Sequence, residues 1–429
     1  MLNTSNYSLP ILVSILLWSP CVLSCKKENN IGANVEETVS PTTGTRTELT
    51  IDSIFLYAKQ IYLWNEVLPA YKSFLPREKY VHIAPEIIAF KKELFDISQL
   101  KINLSTGVPY EKSINGSPKY SYLQAGSISA GTSQAGPATG ELISSNSVIE
   151  SGGKKIAYVA LTGFPKLIDS KAKLDDIFAR FSIEKPKYLI IDLRNNRGGY
   201  VETAEYVVNL IAPSTLNGKV MYSEQFNSTL QTGKASILKH QPYLDEYGKP
   251  VIYKGRNATM ADVDYTEAGN TYRFDKKGTL ETVEAVYIIV SGRTASASEL
   301  LISCLKPYIN VKLVGESTYG KPVGFFAINI DQYAVYLSSF FLKNAQGWSE
   351  YFNGMEVDIP VSLANDAPFG DVNEPGLKTA IAAIVNNGKP STKKTSVPSK
   401  PIILQSARTL SAKANIQWGA FENRLRLKP

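Results

Sequence analysis

Along this chain the apolar residues fall into two spacing regimes. Four runs are almost continuously apolar: Lys155-Ile-Ala-Tyr-Val-Ala-Leu161, Tyr188-Leu-Ile-Ile-Asp-Leu-Arg194, Ala285-Val-Tyr-Ile-Ile-Val290 and Val311-Lys-Leu-Val314. Short runs of this kind predict strands buried on both faces. Between them the period becomes helical. Leu174, Ile177, Phe178 and Phe181 mark one helix; Ala204, Val207, Val208 and Ile211 mark a second; Leu300, Leu301, Cys304 and Leu305 mark a third, stopped by Pro307. Later come Phe326–Ile330, the alternating Tyr333–Leu337 and a helix near Leu377–Val385. Strands alternating with helices predict an α/β core.

The flanks read differently. Ile54, Leu56, Tyr57, Ile61, Tyr62 and Leu63, followed by Pro85–Phe95, predict a small helical N-terminal subdomain over residues 48–115. Residues 116–153 are rich in Gly, Ser and Ala and read as a low-complexity linker, and the polar stretch 25–47 as a flexible tether. The main domain then occupies residues 154–388. From 389 to 429 the chain is rich in Pro, Ser and Lys and predicts a disordered tail.

Composition adds limits. With 429 residues, 44% hydrophobic and 20% charged, the chain is globular rather than polytopic or wholly disordered. Its net charge of +7 is confined to the tail, where nine basic residues face one acid, Glu422; the rest sums to −1. A near-neutral body argues against nucleic acid as a partner. The tail, with Trp418 and Phe421, reads as merely solvated in preference to binding anionic lipid or nucleic acid. Two histidines, His82 and His240, neither in H-E-x-x-H, leave little for a zinc site or a Ser-His-Asp triad, so neither metal nor cofactor is expected. There is no G-x-S-x-G elbow, and Gly315–Lys321 fails as a P-loop because Pro322 follows the lysine and a strand follows that.

The N-terminus carries an apolar run from Pro10 to Trp18, ending in Val22-Leu-Ser-Cys25. Too short to span a bilayer, it reads as a signal peptide over residues 1–24. Its end resembles a bacterial lipobox, although the first nine residues lack Lys and Arg. The resemblance implies lipidation of Cys25 and an exported protein anchored to a cell-envelope membrane, on the periplasmic or the surface face. An ordinary secretory signal is the alternative. With Cys25 lipidated, Cys304 is left as the free thiol and no intrachain disulfide is expected.

The stretch carrying chemistry is Val286–Leu305. A buried strand leads through Ser291-Gly-Arg-Thr-Ala-Ser296-Ala-Ser-Glu299 into a helix. Small neighbours let a substrate backbone reach the Ser296 hydroxyl, and a helix N-terminus suits a developing oxyanion. Serine needs a base, and where histidine is scarce a buried, neutral lysine can serve. Lys321 follows in a Gly-punctuated loop. Alone, Ser296 reads as an N-cap and Lys321 as a solvated charge.

Taken together, Thr294-Ala-Ser296-Ala-Ser-Glu299 and Gly320-Lys321 resemble the tail-specific or carboxyl-terminal processing proteases, the S41 serine peptidases. Ile191-Asp-Leu-Arg-Asn-Asn-Arg-Gly198-Gly199 and Phe352-Asn-Gly354-Met-Glu-Val-Asp358 resemble further segments of that family, and the likeness covers roughly residues 150–388. It implies a ClpP/crotonase-like core, Ser296 as nucleophile, Lys321 as general base and Glu299 as helper. It also implies an oxyanion hole from Ala297 and either Gly198 or Gly199. The stretch 116–153 is too short for the PDZ module many members carry. Where some members orient the lysine with glutamine, this chain has Phe325. The expected activity is endopeptidase cleavage of extended or unfolded polypeptides by a Ser/Lys dyad. The alternatives are a non-catalytic peptide- or ligand-binding lipoprotein on the same core, and acyl-CoA chemistry, which an export signal disfavours. The oligomeric state is not legible.

Overall fold

The four apolar runs lie side by side. In the computed structural model, which describes residues 35–126, 142–245, 248–364, 366–387 and 425–429, Lys154–Leu161, Tyr188–Asp192, Ala285–Val290 and Asn310–Gly315 are parallel neighbours in a six-stranded sheet. Ile359–Pro360 extends it in parallel on one edge, and Ile143–Ser151 pairs antiparallel on the other. Parallel neighbours need crossovers, which helices Leu167–Glu184 and Ala297–Leu305 supply on either side of the middle pair.

Burial of both faces explains why these strands show no polar alternation. On one face Ile156, Tyr158, Ile190, Tyr287, Ile289 and Val314 pack against Leu377, Ala380, Ala383 and Ile384 of the helix Pro375–Val385. The alternate residues, among them Val159, Leu161, Leu189, Ile191, Ile288 and Leu313, join the main core with Phe178, Val207, Leu300 and Leu301 from the crossover helices and from Val201–Ile211. The result is the α/β architecture expected of a ClpP/crotonase-like core. A second, antiparallel sheet runs in the order Thr271–Arg273, Val220–Phe226, Phe340–Asn344, Val323–Gly324.

The N-terminal segment is helical as far as Ser98, with Arg46–Ile61 and Glu86–Ser98 as its longest elements, but the remainder up to residue 115, expected to be helical too, holds the short antiparallel pair Ile102–Asn103 and Val108–Pro109. The helix Arg46–Ile61 is capped by Thr45, whose N–H donates to Glu48 Oε2 at 2.7 Å. Its buried residues merge with the main core, so this segment and the sheet form one compact unit.

Two further sequence expectations need correction. The stretch 116–153 is not simply a linker. Tyr122–Ala125 pairs with Tyr333–Tyr336 in a three-stranded sheet, and Ile143–Ser151 is the edge strand of the central one. Its Gly/Ser-rich composition hid a strand whose partner lies some two hundred residues away. The tail is likewise not wholly without structure, because residues 425–429 pack beside residues 261–264. The signal segment with Cys25 and the rest of the tail, 389–424, lie outside the described residues. Among the described residues no helix is long and apolar enough to cross a membrane.

A buried ionic cluster ties the terminal helix to the sheet. Arg194, 1% exposed, sits 2.9 Å from Glu374 and 3.5 Å from Asp192, with its guanidinium 4.6 Å from the Phe369 ring centroid. Glu374 also caps the helix Pro375–Val385, accepting from the Leu377 N–H at 2.8 Å. Burial pushes the Asp192 carboxyl up to about 6, although Arg194 beside it acts in the opposite direction. Removing one member of such a cluster strands a buried charge, which typically costs about 3–5 kcal/mol. We expect Glu374→Ala to lose stability of that order in urea titration and Glu374→Gln, which keeps an acceptor for the cap, to lose less.

Candidate active site

Ser296 stands where the buried strand Ala285–Val290 has passed through a short loop and the helix Ala297–Leu305 begins. Its backbone is held at φ 59°, ψ −119°, a region that side chains normally avoid. Such a conformation costs on the order of 1–3 kcal/mol and persists only where its surroundings enforce it. Here the enforcing groups come from the loop after Tyr188–Asp192. Ser291 Oγ donates to the Arg194 carbonyl, Thr294 Oγ1 to that of Leu193 at 2.8 Å, and Ala295 N to that of Asn196 at 3.2 Å. Ser298 Oγ donates to the same Asn196 carbonyl at 3.1 Å.

The loop carrying Gly198 and Gly199 therefore lies directly against the serine. A Cβ on Gly198 would come within 2.9 Å of Ser296 Cβ and 3.0 Å of the Ala297 nitrogen. No larger residue fits there, and the Ala297 nitrogen borders this spot. The Gly198 N–H, however, donates to Asn196 Oδ1 at 2.8 Å. Phe164 bonds the Gly198 carbonyl and the Tyr200 N–H, on either side of Gly199. Of the two glycines suggested by sequence, Gly199 is thus the one whose N–H is not engaged by Asn196.

Glu299, three residues into the helix, is fully buried and gathers the site. Oε2 accepts from Ser296 N at 3.0 Å and from Lys321 N at 2.9 Å. Oε1 accepts from Gly320 N at 2.7 Å and Thr318 Oγ1 at 2.5 Å. The Thr318 hydroxyl itself accepts from Met355 N at 2.7 Å, so its proton points at Glu299. Four donors converge on two oxygens, an arrangement that suits an ionised carboxylate. Burial raises the Glu299 carboxyl above its usual range while these hydrogen bonds pull it down. The helper expected from sequence is accordingly a clamp on the backbones of Ser296 and Lys321. Those two nitrogens can be no further apart than 3.0 Å and 2.9 Å laid end to end.

Lys321 is fully buried, and its amine lies 4.3 Å from the ring centroid of Phe325. Burial drives its pKa from 10.5 down to about 7, against the upward pull of Glu299 and Glu111. Its loop is packed too tightly for side chains. A Cβ on Gly320 would sit 2.4 Å from Gly354 N and 2.5 Å from the Tyr351 carbonyl. A Cβ on Gly354 would in turn sit 2.1 Å from the Thr318 carbonyl, which accounts for that glycine in the segment 352–358. Asp358, in contrast, serves the sheet, accepting from Leu313 N at 2.9 Å.

Three residues that sequence reasoning passed over complete the surroundings. Lys119, buried, donates from Nζ to the Tyr319 carbonyl at 2.9 Å and to that of Phe352 at 2.6 Å. Tyr120 Oη donates to the Gly320 carbonyl at 2.6 Å. Glu111 accepts from Ser121 through both N–H and hydroxyl, each at 2.7 Å. Burial lowers the Lys119 amine to about 7. Nothing local marks Lys119 and Tyr120, because both act on loops two hundred positions away.

With this geometry in view, the model of peptidase family S41 matches residues 155–361. Carboxyl-terminal-processing peptidase 1, chloroplastic, of Arabidopsis thaliana is 30% identical over 176 residues, 40% of this chain but only 26% of that relative's length. Among solved structures, a photosystem II D1 C-terminal processing protease is similar at 12% identity and TM-score 0.45, covering 81% of this chain and 99% of its own. A lipoprotein from Streptococcus agalactiae is similar at 17% identity and TM-score 0.44, covering 76% and 95%. Both are remote likenesses of shape.

The clamp is directly testable. Glu299→Gln replaces one acceptor oxygen by an NH₂ that meets N–H groups head on, leaving buried donors unsatisfied at about 1–3 kcal/mol each. We expect it to lower the denaturation midpoint clearly. Glu299→Asp, too short to reach both backbones, should lose nearly as much.

Proposed function

The chain carries a peptidase family S41 domain at residues 155–361, and from that premise we propose that it is a serine endopeptidase with Ser296 as nucleophile and Lys321 as general base. One observation carries the reading. A fully buried lysine with its pKa brought down to about 7 and a strained serine at a helix start are fastened by their backbones to the same carboxylate oxygen. Neutral Lys321 takes the Ser296 proton as Oγ attacks a peptide carbonyl. The N–H groups of Ala297 and Gly199 receive the oxyanion, Gly198 being bonded to Asn196. The amine returns the proton to the leaving nitrogen. It then activates the water that hydrolyses the acyl-enzyme and frees the serine.

The substrate in this reading is an extended or unfolded polypeptide, which can pair with exposed backbone beside the site. The apolar run ending at Cys25 supports a second part: export and attachment to a cell-envelope membrane through lipid on that cysteine. Incorporation of labelled fatty acid, lost in Cys25→Ser, tests it.

Three outcomes follow. Ser296→Ala and Lys321→Ala should each cut cleavage of an unfolded protein at least about a thousandfold, with the circular dichroism spectrum unchanged. Retained turnover in either would remove the dyad. Activity should also rise about tenfold per pH unit on the acid side and level off above about pH 7, as the Lys321 amine loses its proton.

The third outcome concerns stability. Lys321 has a lower pKa folded than unfolded, so between about pH 7 and 10.5 the folded chain binds fewer protons and its stability climbs with pH. Below pH 7 the full penalty of burying the charge applies. Lys321→Met should therefore be inactive yet melt higher than wild type at pH 6, with the difference shrinking towards pH 10.

A further inference from the structure

Four consecutive residues, 119–122, cross the loop that carries Lys321. The chain bends at Lys119 and Tyr120 and enters a strand at Tyr122, so the first two side chains escape strand alternation and both reach that loop. Lys119 Nζ donates to the Tyr319 carbonyl at 2.9 Å and to that of Phe352 at 2.6 Å, and Tyr120 Oη donates to the Gly320 carbonyl at 2.6 Å. Ser121 anchors the crossing: its N–H and hydroxyl go to Glu111, and its Oγ accepts from Ser338 N at 3.0 Å. Tyr122 stacks on Tyr336 with ring centroids 4.3 Å apart, and both meet Phe325 edge-on at 5.6 Å. Phe325 is the buried ring whose centroid lies 4.3 Å from the Lys321 amine.

The contacts pair up across two peptide units. The Tyr319 carbonyl and the Gly320 N–H belong to one plane, and the Gly320 carbonyl and the Lys321 N–H to the next. Glu299 takes the N–H end of both planes, while Lys119 takes the carbonyl end of the first and Tyr120 that of the second. A plane held at both ends cannot rotate, so the Cα of Lys321 is fixed in place and direction. Burying an amine and a phenol is costly unless their hydrogen bonds are made, and here those bonds go to the mounting of one side chain. Tyr122 adds a separate effect, because it backs the ring that keeps water from the amine.

We propose that Lys119, Tyr120 and Tyr122 are positioning residues for Lys321: the first two lock the peptide planes that carry it, and the third holds Phe325 over its amine. That Lys321 acts as a base rests on the peptidase reading above; that this crossing fixes and shields its amine does not. The site is then completed from outside residues 155–361, by a part of the chain that contributes neither nucleophile nor base.

The test follows kcat, KM and the pH profile of full-length variants on a reduced, alkylated protein, at a temperature where near-ultraviolet circular dichroism shows each one folded. Tyr120→Phe, which releases one end of the second plane, should lower kcat about fivefold or more with KM unaltered. Lys119→Met should lower kcat further; should it fail to fold, Tyr120→Phe and the Tyr122 variants decide. Tyr122→Ala lets water reach the amine while the charged groups acting on it, Glu299 and Glu111, stay in place. The Lys321 pKa then rises from about 7 towards 10.5, moving the acid limb of the profile up by about one pH unit. Tyr122→Phe, which keeps the ring, should retain the wild-type limb. A second readout needs no turnover: the melting-temperature gap at pH 6 between Lys321→Met and its parent should shrink by about half when both carry Tyr122→Ala. Lower stability in folded variants whose kcat, limb and gap all match wild type would mark a merely structural role and overturn the proposal. A shrunken gap without any cleavage by wild type keeps the positioning and sinks the peptidase reading; cleavage with kcat, limb and gap unmoved sinks the positioning alone.

Discussion

A single buried carboxylate sets the geometry of the site. Glu299 sits at the third position of its helix, from which a side chain reaches back to the N–H of the residue preceding the first turn. That residue is Ser296. The same carboxylate also accepts from Gly320 N, Lys321 N and Thr318 Oγ1. A buried carboxylate without such donors would be costly, so the loop carrying Lys321 and the helix start carrying Ser296 are each held in place by the other's need for a partner. Movement of either element breaks bonds to both.

The lysine loop is held from its opposite side as well. Its N–H groups at 320 and 321 go to Glu299, whereas its carbonyls at 319 and 320 go to Lys119 and Tyr120. Buried backbone groups must be accounted for, and here the accounting is divided between two parts of the chain. Lys119 and Tyr120 lie before residue 155, outside the stretch that matches the family. The chain before residue 155 is therefore part of what shapes the site, in addition to adding helices to the core.

How much of this could be read from sequence follows from where each interaction lies along the chain. The central strands were legible because burial on both faces leaves an unbroken apolar run, as in Ala285–Val290. The helix after Ser296 was legible from its period and from Pro307. Glu299 was visible as a residue but not as a clamp, since three of its four donors belong to residues 318–321. Lys119, Tyr120 and Glu111 were invisible because a Ser- and Gly-rich neighbourhood carries no periodicity to place them. The edge strand Ile143–Ser151 was missed for a related reason. Exposed on one side and rich in serine, it lacks the hydrophobicity that marked its neighbours. That the Gly198 N–H is taken up by Asn196 was likewise invisible, since no motif would reveal that acceptor.

The replacement of glutamine by Phe325 can be understood through the forces on one amine. An amide at that position would hold the lysine by a hydrogen bond. A phenyl ring instead helps strip water from it, and the loss of hydration favours the neutral form. The face of the same ring attracts a cation, which opposes that preference. Glu299, in the site, and Glu111, in the N-terminal segment, also favour the charged form. Without those carboxylates, burial would carry the pKa lower still. With them it settles at about 7, which leaves a substantial share of the amine neutral near neutral pH, as the proposed role of general base requires. The basicity of Lys321 is thus a property of the folded whole, set jointly by an apolar contact four residues on and by two carboxylates from separate parts of the chain.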